Sequence, residues 1–130
     1  MIDTLNIGKY IHSALSDAST GINAKTYPLV ADNDAKYPFI VYRRMDLESA
    51  TCKDGVYRDS TTVEIIIVSD KYYVGIDIAN KVRKTLEKQQ VTFNDMVIND
   101  GNLMMATEEY SNNAYVQRMQ FTFNIDNYTN

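Results

Sequence analysis

The sequence predicts an α+β domain in which a mostly antiparallel sheet carries two helices on one face and extends a long hairpin. Two segments repeat their apolar residues at helical spacing, while the remaining segments alternate apolar and polar residues or form β-branched runs. Asp-Gly turn signals separate the predicted strands, and strands joined by tight turns are antiparallel. With 130 residues, 45% of them hydrophobic and 23% charged, we expect a single globular domain spanning residues 1–130.

The first predicted helix runs from Thr4 to Ala18. Asp3 or Thr4 can cap its start. Gly8 inside it costs about 1 kcal/mol relative to alanine, so packing must hold that turn. The apolar residues that recur at four-residue steps are Ile7, Ile11 and Leu15.

Two strands are predicted next, over Phe39 to Met45 and Thr61 to Ser69. The second is rich in β-branched residues and predicts a central strand buried on both faces. An Asp54-Gly55 turn between the two strands predicts a hairpin. Its outer part, from Asp46 to Ser60, is charged and nearly devoid of apolar residues. We expect it to project from the sheet as an arm if both flanking strands continue into it, and the alternative is a mobile surface loop.

A second helix is predicted from Asp70 to Lys88, with Asp70 as its N-cap and Ser69 as the alternative. Its apolar ridge consists of Ile78, Val82 and Leu86.

The last part of the chain predicts a second hairpin and a closing strand. Asn99-Asp100-Gly101 is interpreted as the turn between strands Val91 to Ile98 and Leu103 to Tyr110. The closing strand alternates, with Met119, Phe121, Phe123 and Ile125 on the core face. The predicted core contains Ile11, Leu15, Val63, Ile65, Ile67, Ile78, Val82, Leu86, Phe121 and Phe123.

Charge, cysteine content and hydropathy argue against nucleic-acid binding, disulfide bonds and membrane association. The net charge of −4 argues against an open nucleic-acid-binding surface but suits a protein past which DNA slides without sticking. The single cysteine, Cys52, allows no internal disulfide or thiolate metal site. The longest apolar run, Ile65 to Val68, is too short for a membrane span, and the N-terminus lacks a signal-peptide pattern. We therefore expect no membrane association.

Each candidate catalytic or metal site in the sequence lacks a residue or a spacing that such a site requires. His12 is the only histidine, and the adjacent Ser13 points away from it on a helix. Asp32-Asn33-Asp34 begins like a calcium loop but lacks its glycine and closing glutamate. Glu108 and Glu109 are strand neighbours that point to opposite faces, and the glycines are isolated. We expect no enzyme activity, no cofactor and no metal.

Ten tyrosines and an adjacent arginine pair are the other unusual features. Tyrosine fits both half-buried strands and protein interfaces, and the acidic charge favours these roles over base stacking. Arg43-Arg44 places one guanidinium on each face of a strand, where one should find a carboxylate partner.

The pattern as a whole resembles the tail-terminator, or tail-completion, family of long-tailed bacteriophages. The resemblance lies in an N-terminal helix, the strand entry Tyr37-Pro38-Phe39-Ile40-Val41-Tyr42, a charged hairpin, and Val63 to Ser69 leading into Ile78 to Arg83. The closing Arg118-Met119-Gln120-Phe121 fits the same family.

The resemblance implies a structural protein of the virion that forms a homo-hexamer ring on the tail tube. Such a ring ends tube polymerisation and provides the head-to-tail joining surface. Its partners would be its own copies, the tail-tube protein and a head-completion or connector protein, with DNA only as passing cargo. It would lie at the head-tail junction of the virion, and in the host cytoplasm during assembly. The residues we expect at the subunit interface are Arg43, Arg44, Glu48, Lys53, Asp54, Tyr57, Arg58 and Asp59.

Three alternatives remain open from the residues alone. Another phage neck or tail-tube component would share the size and sheet content. A stand-alone module could bind a ligand through exposed tyrosines. An enzyme would require residues such as His12, Asp95 and Glu108 to lie together in one cleft.

Overall fold

The computed structural model describes residues 2–51 and 57–127. Within these ranges, short 3-10 helices at Thr4–Asn6 and Ala18–Thr20 flank the first α-helix. The helices and strands are α1 (Ile7–Ser16), β1 (Lys25–Pro28), β2 (Phe39–Thr51), β3 (Tyr57–Ser69), α2 (Tyr72–Leu86), β4 (Gln90–Phe93), β5 (Met96–Ser111) and β6 (Ala114–Asp126). Among the described helices, none combines the length and the apolar composition that a membrane span requires.

The strands form one mixed sheet in the order β1-β2-β3-β6-β5-β4. Only the β1–β2 pair is parallel among the described strands; the other neighbours are antiparallel. The strand predicted to be central, β3, lies in the middle of the sheet beside β6. The predicted α+β fold with a mostly antiparallel sheet is therefore confirmed.

One apolar core joins the two helices to one face of the sheet. All ten residues predicted for the core are buried, at 5% exposure or less. The alternation of β6 is also confirmed, because Phe121, Phe123 and Ile125 are fully buried between the sheet and the helices. Period-two burial in this strand thus identified its core face correctly.

The opposite face of β3 is less buried than the sequence predicted. Ile66 and Val68 alternate with the core residues and remain half-exposed. Both predicted helices pack on the other face of the sheet, so the expectation of a strand buried on both faces is wrong. Glu64 on this open face is buried, at 6% exposure, because Arg43 pairs with it.

The predicted helix caps are only partly correct. Asp3 occupies the N-cap position of the 3-10 turn that leads into α1, without a side-chain bond, whereas neither Asp70 nor Ser69 occupies the N-cap position of α2. Asn6 and Lys71 occupy the N-cap positions of α1 and α2, and neither side chain bonds to the helix. Thr4 instead donates its hydroxyl to Asp59, which holds the N-terminal segment against the sheet. Ser69 Oγ accepts from the Lys71 N–H at 3.1 Å and shapes the turn that leads into α2.

The second predicted hairpin turn is also wrong, because Asn99-Asp100-Gly101 lies inside β5. The pairing of β5 with β6 shifts between Asn99 and Asn102, and the backbone of Asp100 has a positive φ of 56°. A Cβ atom at Gly101 would approach the backbone oxygen of Leu86 to 2.2 Å. The Asp-Gly pair therefore forms a bulge that admits the end of α2, and the chain reverses at Asn94-Asp95 and Asn112-Asn113.

The predicted arm does not project beyond the sheet in the part of the hairpin that the structure describes. β2 and β3 pair as far as Thr51 and Tyr57, and β6 accompanies β3 up to the pair Arg58 and Asp126. The predicted Asp54-Gly55 turn lies outside the described residues.

The two edges of the sheet are stepped. β1 covers only Phe39–Tyr42 of β2, and β4 covers only Met96–Asn99 of β5. In the described structure, the segments 43–51 of β2 and 102–111 of β5 have no strand on their outer side. Because β2 and β5 run in opposite directions with their early residues covered, the two uncovered segments lie at opposite ends of the sheet.

Candidate subunit interface

The arginine pair of the predicted interface lies at the start of the uncovered edge of β2. Arg43 donates from Nε to Glu64 Oε1 at 2.9 Å, which confirms the expected carboxylate partner. Arg44 lies on the helix face and donates from Nη1 to the Leu5 carbonyl at 3.1 Å. Both guanidiniums are exposed and held in place, which suits contacts with another molecule.

Farther along the hairpin, the other predicted interface residues have different environments. Glu48 is exposed opposite Ser60. Arg58 is exposed and pairs with Asp126 at 3.4 Å. Tyr57 is the first residue of β3, and Lys53 and Asp54 lie outside the described residues.

Asp59 is only 1% exposed and belongs to an internal network. Its carboxylate accepts hydrogen bonds from Thr4, from Ser49 Oγ at 2.5 Å and from Asn127 Nδ2 at 3.1 Å. These bonds join the segment before α1 and the residue after β6 to the outer part of the β2–β3 hairpin. In this arrangement Asp59 organises the monomer and has no accessible oxygen to offer a neighbour.

Seven of the ten tyrosines fall into two groups, a buried group and a surface cluster. Tyr10, Tyr27 and Tyr42 are buried. The surface cluster joins the start of α2 to the β5–β6 hairpin through ring contacts of 4.9 to 5.6 Å. Its members are the exposed Tyr73 and Tyr110 and the half-buried Tyr72 and Tyr115. The Tyr72 hydroxyl lies 3.1 Å from both oxygens of Glu108, and this hydrogen bond raises the pKa of Tyr72. An aromatic surface with a fixed carboxylate is well suited to protein contacts.

None of the described hydrogen bonds or ion pairs joins any two of the three residues that an active site would have to bring together. His12 Nδ1 contacts Thr26 Oγ1 at 2.8 Å, Glu108 bonds to Tyr72 and Gln117, and Asp95 lies in the β4–β5 turn. Glu109 pairs with Arg118 on the opposite face from Glu108, as the alternation predicted. Across residues 2–51 and 57–127, no group of three or more His, Cys, Asp or Glu side chains could hold a metal ion.

A cavity of about 520 Å³ lies between the two helices and β4. Its floor is apolar, with Tyr10, Val91 and Phe93, and three lysines of α2 and the following turn line its rim. Lys81 of this rim bonds to the Gly21 carbonyl at 3.2 Å and to Asp77 at 3.2 Å. Most of the rest of the lining is polar, with the hydroxyls of Ser13, Ser19 and Thr85 and the carboxylate of Asp17.

An apolar knob that was not predicted from the sequence lies at the end of β1 and is formed by Leu29 and Val30. These side chains are 72% and 74% exposed. Leu29 has a φ of +66°, and the Val30 N–H bonds to the Pro28 carbonyl at 2.7 Å, which closes a three-residue turn around it. A bulky residue pays a steric penalty for positive φ, and such strain is concentrated at functional positions.

A second missed feature is the methionine patch of β5, formed by Met104 and Met105. They are 64% and 54% exposed on the uncovered part of the strand. The pairing with β6 shifts between Leu103 and Met105, so Met104 is an extra residue in the ladder. The run Leu103-Met104-Met105, which breaks the expected alternation, was the available sequence signal.

The fold is similar to that of a protein in a known particle. A chain of the solved structure described as the virion of a native gene transfer agent (GTA) particle matches with a TM-score of 0.73. The match covers 90% of this chain and 92% of that chain, at 13% sequence identity. This chain has the fold of that virion chain. No protein-family model and no curated protein sequence matches it.

Proposed function

We propose that this protein is a structural component of a phage or phage-like virion, and that it forms the ring that terminates the tail tube. The observation that carries the proposal is the nearly end-to-end similarity of fold to a chain of a gene transfer agent virion. The similarity extends over 90% of this chain and 92% of that chain.

The surface of the described residues supports a role in assembly over a role in catalysis. His12, Glu108 and Glu109 are engaged in separate contacts. Its exposed features are aromatic, methionine-rich and apolar patches together with two uncovered strand edges. Aromatic residues, methionine and arginine are the types enriched where proteins bury one another. We infer that the protein is not an enzyme and requires no cofactor.

The proposed assembly is a homo-hexamer ring in which each subunit offers different patches to its two neighbours. Head-to-tail contacts of this kind close into a ring when the rotation permits. The β2 edge with Arg43, Arg44 and Glu48 lies on one lateral side of the subunit and the β5 edge on the other. The ends of the ring would then bind the tail-tube protein and the head-completion or connector protein. The net charge of −4 suits a ring through which DNA passes as cargo.

Deletion of the gene from the phage or prophage that encodes it tests this function. We expect tail tubes of uncontrolled length and filled heads without tails, and plasmid-borne wild type should restore complete virions. The readouts are tail length by electron microscopy and the count of infectious or gene-transferring particles.

Two outcomes of the deletion would overturn the proposal in different ways. Complete absence of tubes would identify a tube subunit, the alternative left open by the sequence. Normal, functional virions would exclude a structural role and favour a separate binding module.

A further inference from the structure

The apolar knob and the methionine patch lie on opposite edges of the sheet, at the same position along the strand direction. We call this position the height of a residue. Leu29 follows the residue pair Pro28–Tyr42, and its N–H bonds to the Tyr42 carbonyl at 2.9 Å. The strand register continues this row across the sheet through Tyr42, Ile65, Met119 and Ala106. Leu29 lies one row beyond Pro28. On β5 the residue one row beyond Ala106 in the same direction is Met105, so Leu29 and Met105 lie at the same height.

A charged pair follows the same arrangement four rows away from Leu29 and Met105. Lys25 of β1 starts a row that ends at Glu109 of β5, through Phe39, Val68 and Val116. Side chains within a row point to the same face of a sheet, so both charges lie on the face without helices. Lys25 and Glu109 are both exposed, and Glu109 already contacts Arg118 through one oxygen at 2.8 Å.

The stepped edges make these features available to a neighbouring copy. β1 projects at the end of the sheet where β5 is uncovered, and β4 projects where β2 is uncovered. In a ring whose axis runs parallel to the strands, the rotation that relates neighbouring copies leaves each residue at the same height. The β1 edge of one copy therefore meets the uncovered β5 segment of the next. The projecting strand of each copy then fills the step of its neighbour.

We propose that a second copy of this chain docks on the uncovered β5 edge. Leu29 and Val30 of one copy pack on Met104 and Met105 of the next, and Lys25 pairs with Glu109 across the same junction. The knob supplies a rigid apolar surface, and methionine side chains adapt their shape to it. This inference rests on the proposed ring and names the residues that form its joint.

Cysteine crosslinking tests the junction directly. In a Cys52→Ser background, Val30→Cys combined with Met105→Cys should form disulfide-linked oligomers that end in a closed ring. Four strand spacings, roughly 19 Å, separate the two positions within one chain, so a link within a monomer is excluded. Val30→Cys combined with Asp77→Cys, on the exposed surface of α2, is the matched control and should give no ladder.

Exchange of the charged pair provides a test of specificity. Lys25→Glu alone and Glu109→Lys alone should each weaken association about tenfold, since like charges then face each other. An equimolar mixture of the two variants should regain assembly, because alternating copies restore every pair. If assembly recovers in the mixture but not in either variant by itself, the defect of the single variants cannot be a defect in the folding of the monomer.

Leu29→Gly separates docking from folding. Glycine adopts a positive φ without steric penalty, so the urea midpoint of the monomer should not fall, while association should weaken about tenfold through loss of the apolar contact. A wild-type ring with no Val30–Met105 crosslink and unimpaired Leu29→Gly assembly would overturn the junction and leave the ring intact. A wild type that remains monomeric, with no crosslink at high concentration, would overturn both.

Discussion

Gly101 shows how one residue determines the path of the chain between α2 and β5. A Cβ atom here would lie 2.2 Å from the Leu86 carbonyl oxygen, and the Gly101 N–H bonds to the Lys88 carbonyl at 2.9 Å. Gly101→Ala must therefore displace backbone, and we expect it to lower the free energy of unfolding by about 1–3 kcal/mol or more. Urea denaturation followed by circular dichroism measures the change.

Gly8→Ala is the matched control for this prediction. The nearest atom to a Cβ at Gly8 is Tyr42 Cε2 at 3.9 Å, an ordinary contact. Alanine in this helix should raise the free energy of unfolding by about 0.5–1 kcal/mol. Equal effects of the two substitutions would show that the close approach at Gly101 does not exist.

At the scale of single elements, Glu87 fastens the end of α2 to the bulged strand β5. Its carboxylate accepts from the Leu103 N–H at 3.0 Å and from Arg83 Nε at 2.7 Å, and these bonds lower the pKa of Glu87. The stabilisation is complete above the carboxyl pKa of the unfolded chain, about 4.3, and is lost as pH falls through the folded pKa. We expect Glu87→Gln to be less stable than wild type at pH 7.

The pH dependence of that difference is the measurement. Unfolding midpoints of wild type and Glu87→Gln should converge as the pH is lowered below 4, because the wild-type carboxyl is then protonated. A gap that stays constant with pH would show that the charge of Glu87 does not contribute.

The closing strand β6 gives the clearest test of the core. Phe121 is fully buried, and Phe121→Ala should lower the free energy of unfolding by about 3–5 kcal/mol. Thr122→Ala, at the neighbouring half-exposed position on the opposite face, should change it little. Thermal melting of both variants distinguishes them, and similar melting would mean that the strand faces the other way.

The elements differ in how far the sequence could predict them. Period-two alternation identified the core face of β6, and the β-branched run identified β3 as central. The Asp100-Gly101 signal misled because a bulge and a hairpin turn require the same permissive backbone, and only the position of Leu86 distinguishes them. Leu29 and Val30 were missed because exposure of an apolar loop residue depends on neighbours that are distant in sequence.

On the scale of the whole molecule, the stepped edges limit how copies can associate. A sheet with uncovered edge segments tends to pair with other chains, and natural proteins cover or block such edges. Here the uncovered segments lie at opposite ends, so a neighbour that fills one step leaves no long free edge. Ring closure would cover both edges of every copy, which accounts for a domain that carries Met104 and Met105 exposed on a strand.

The oligomeric state of the wild-type protein tests this account most directly. Light scattering coupled to size exclusion, with electron microscopy of the same fractions, measures both mass and shape. We predict a closed ring with a central channel and a mass six times the 14.8 kDa of the chain. A monomer at every concentration, or tubes that elongate without limit, would contradict it.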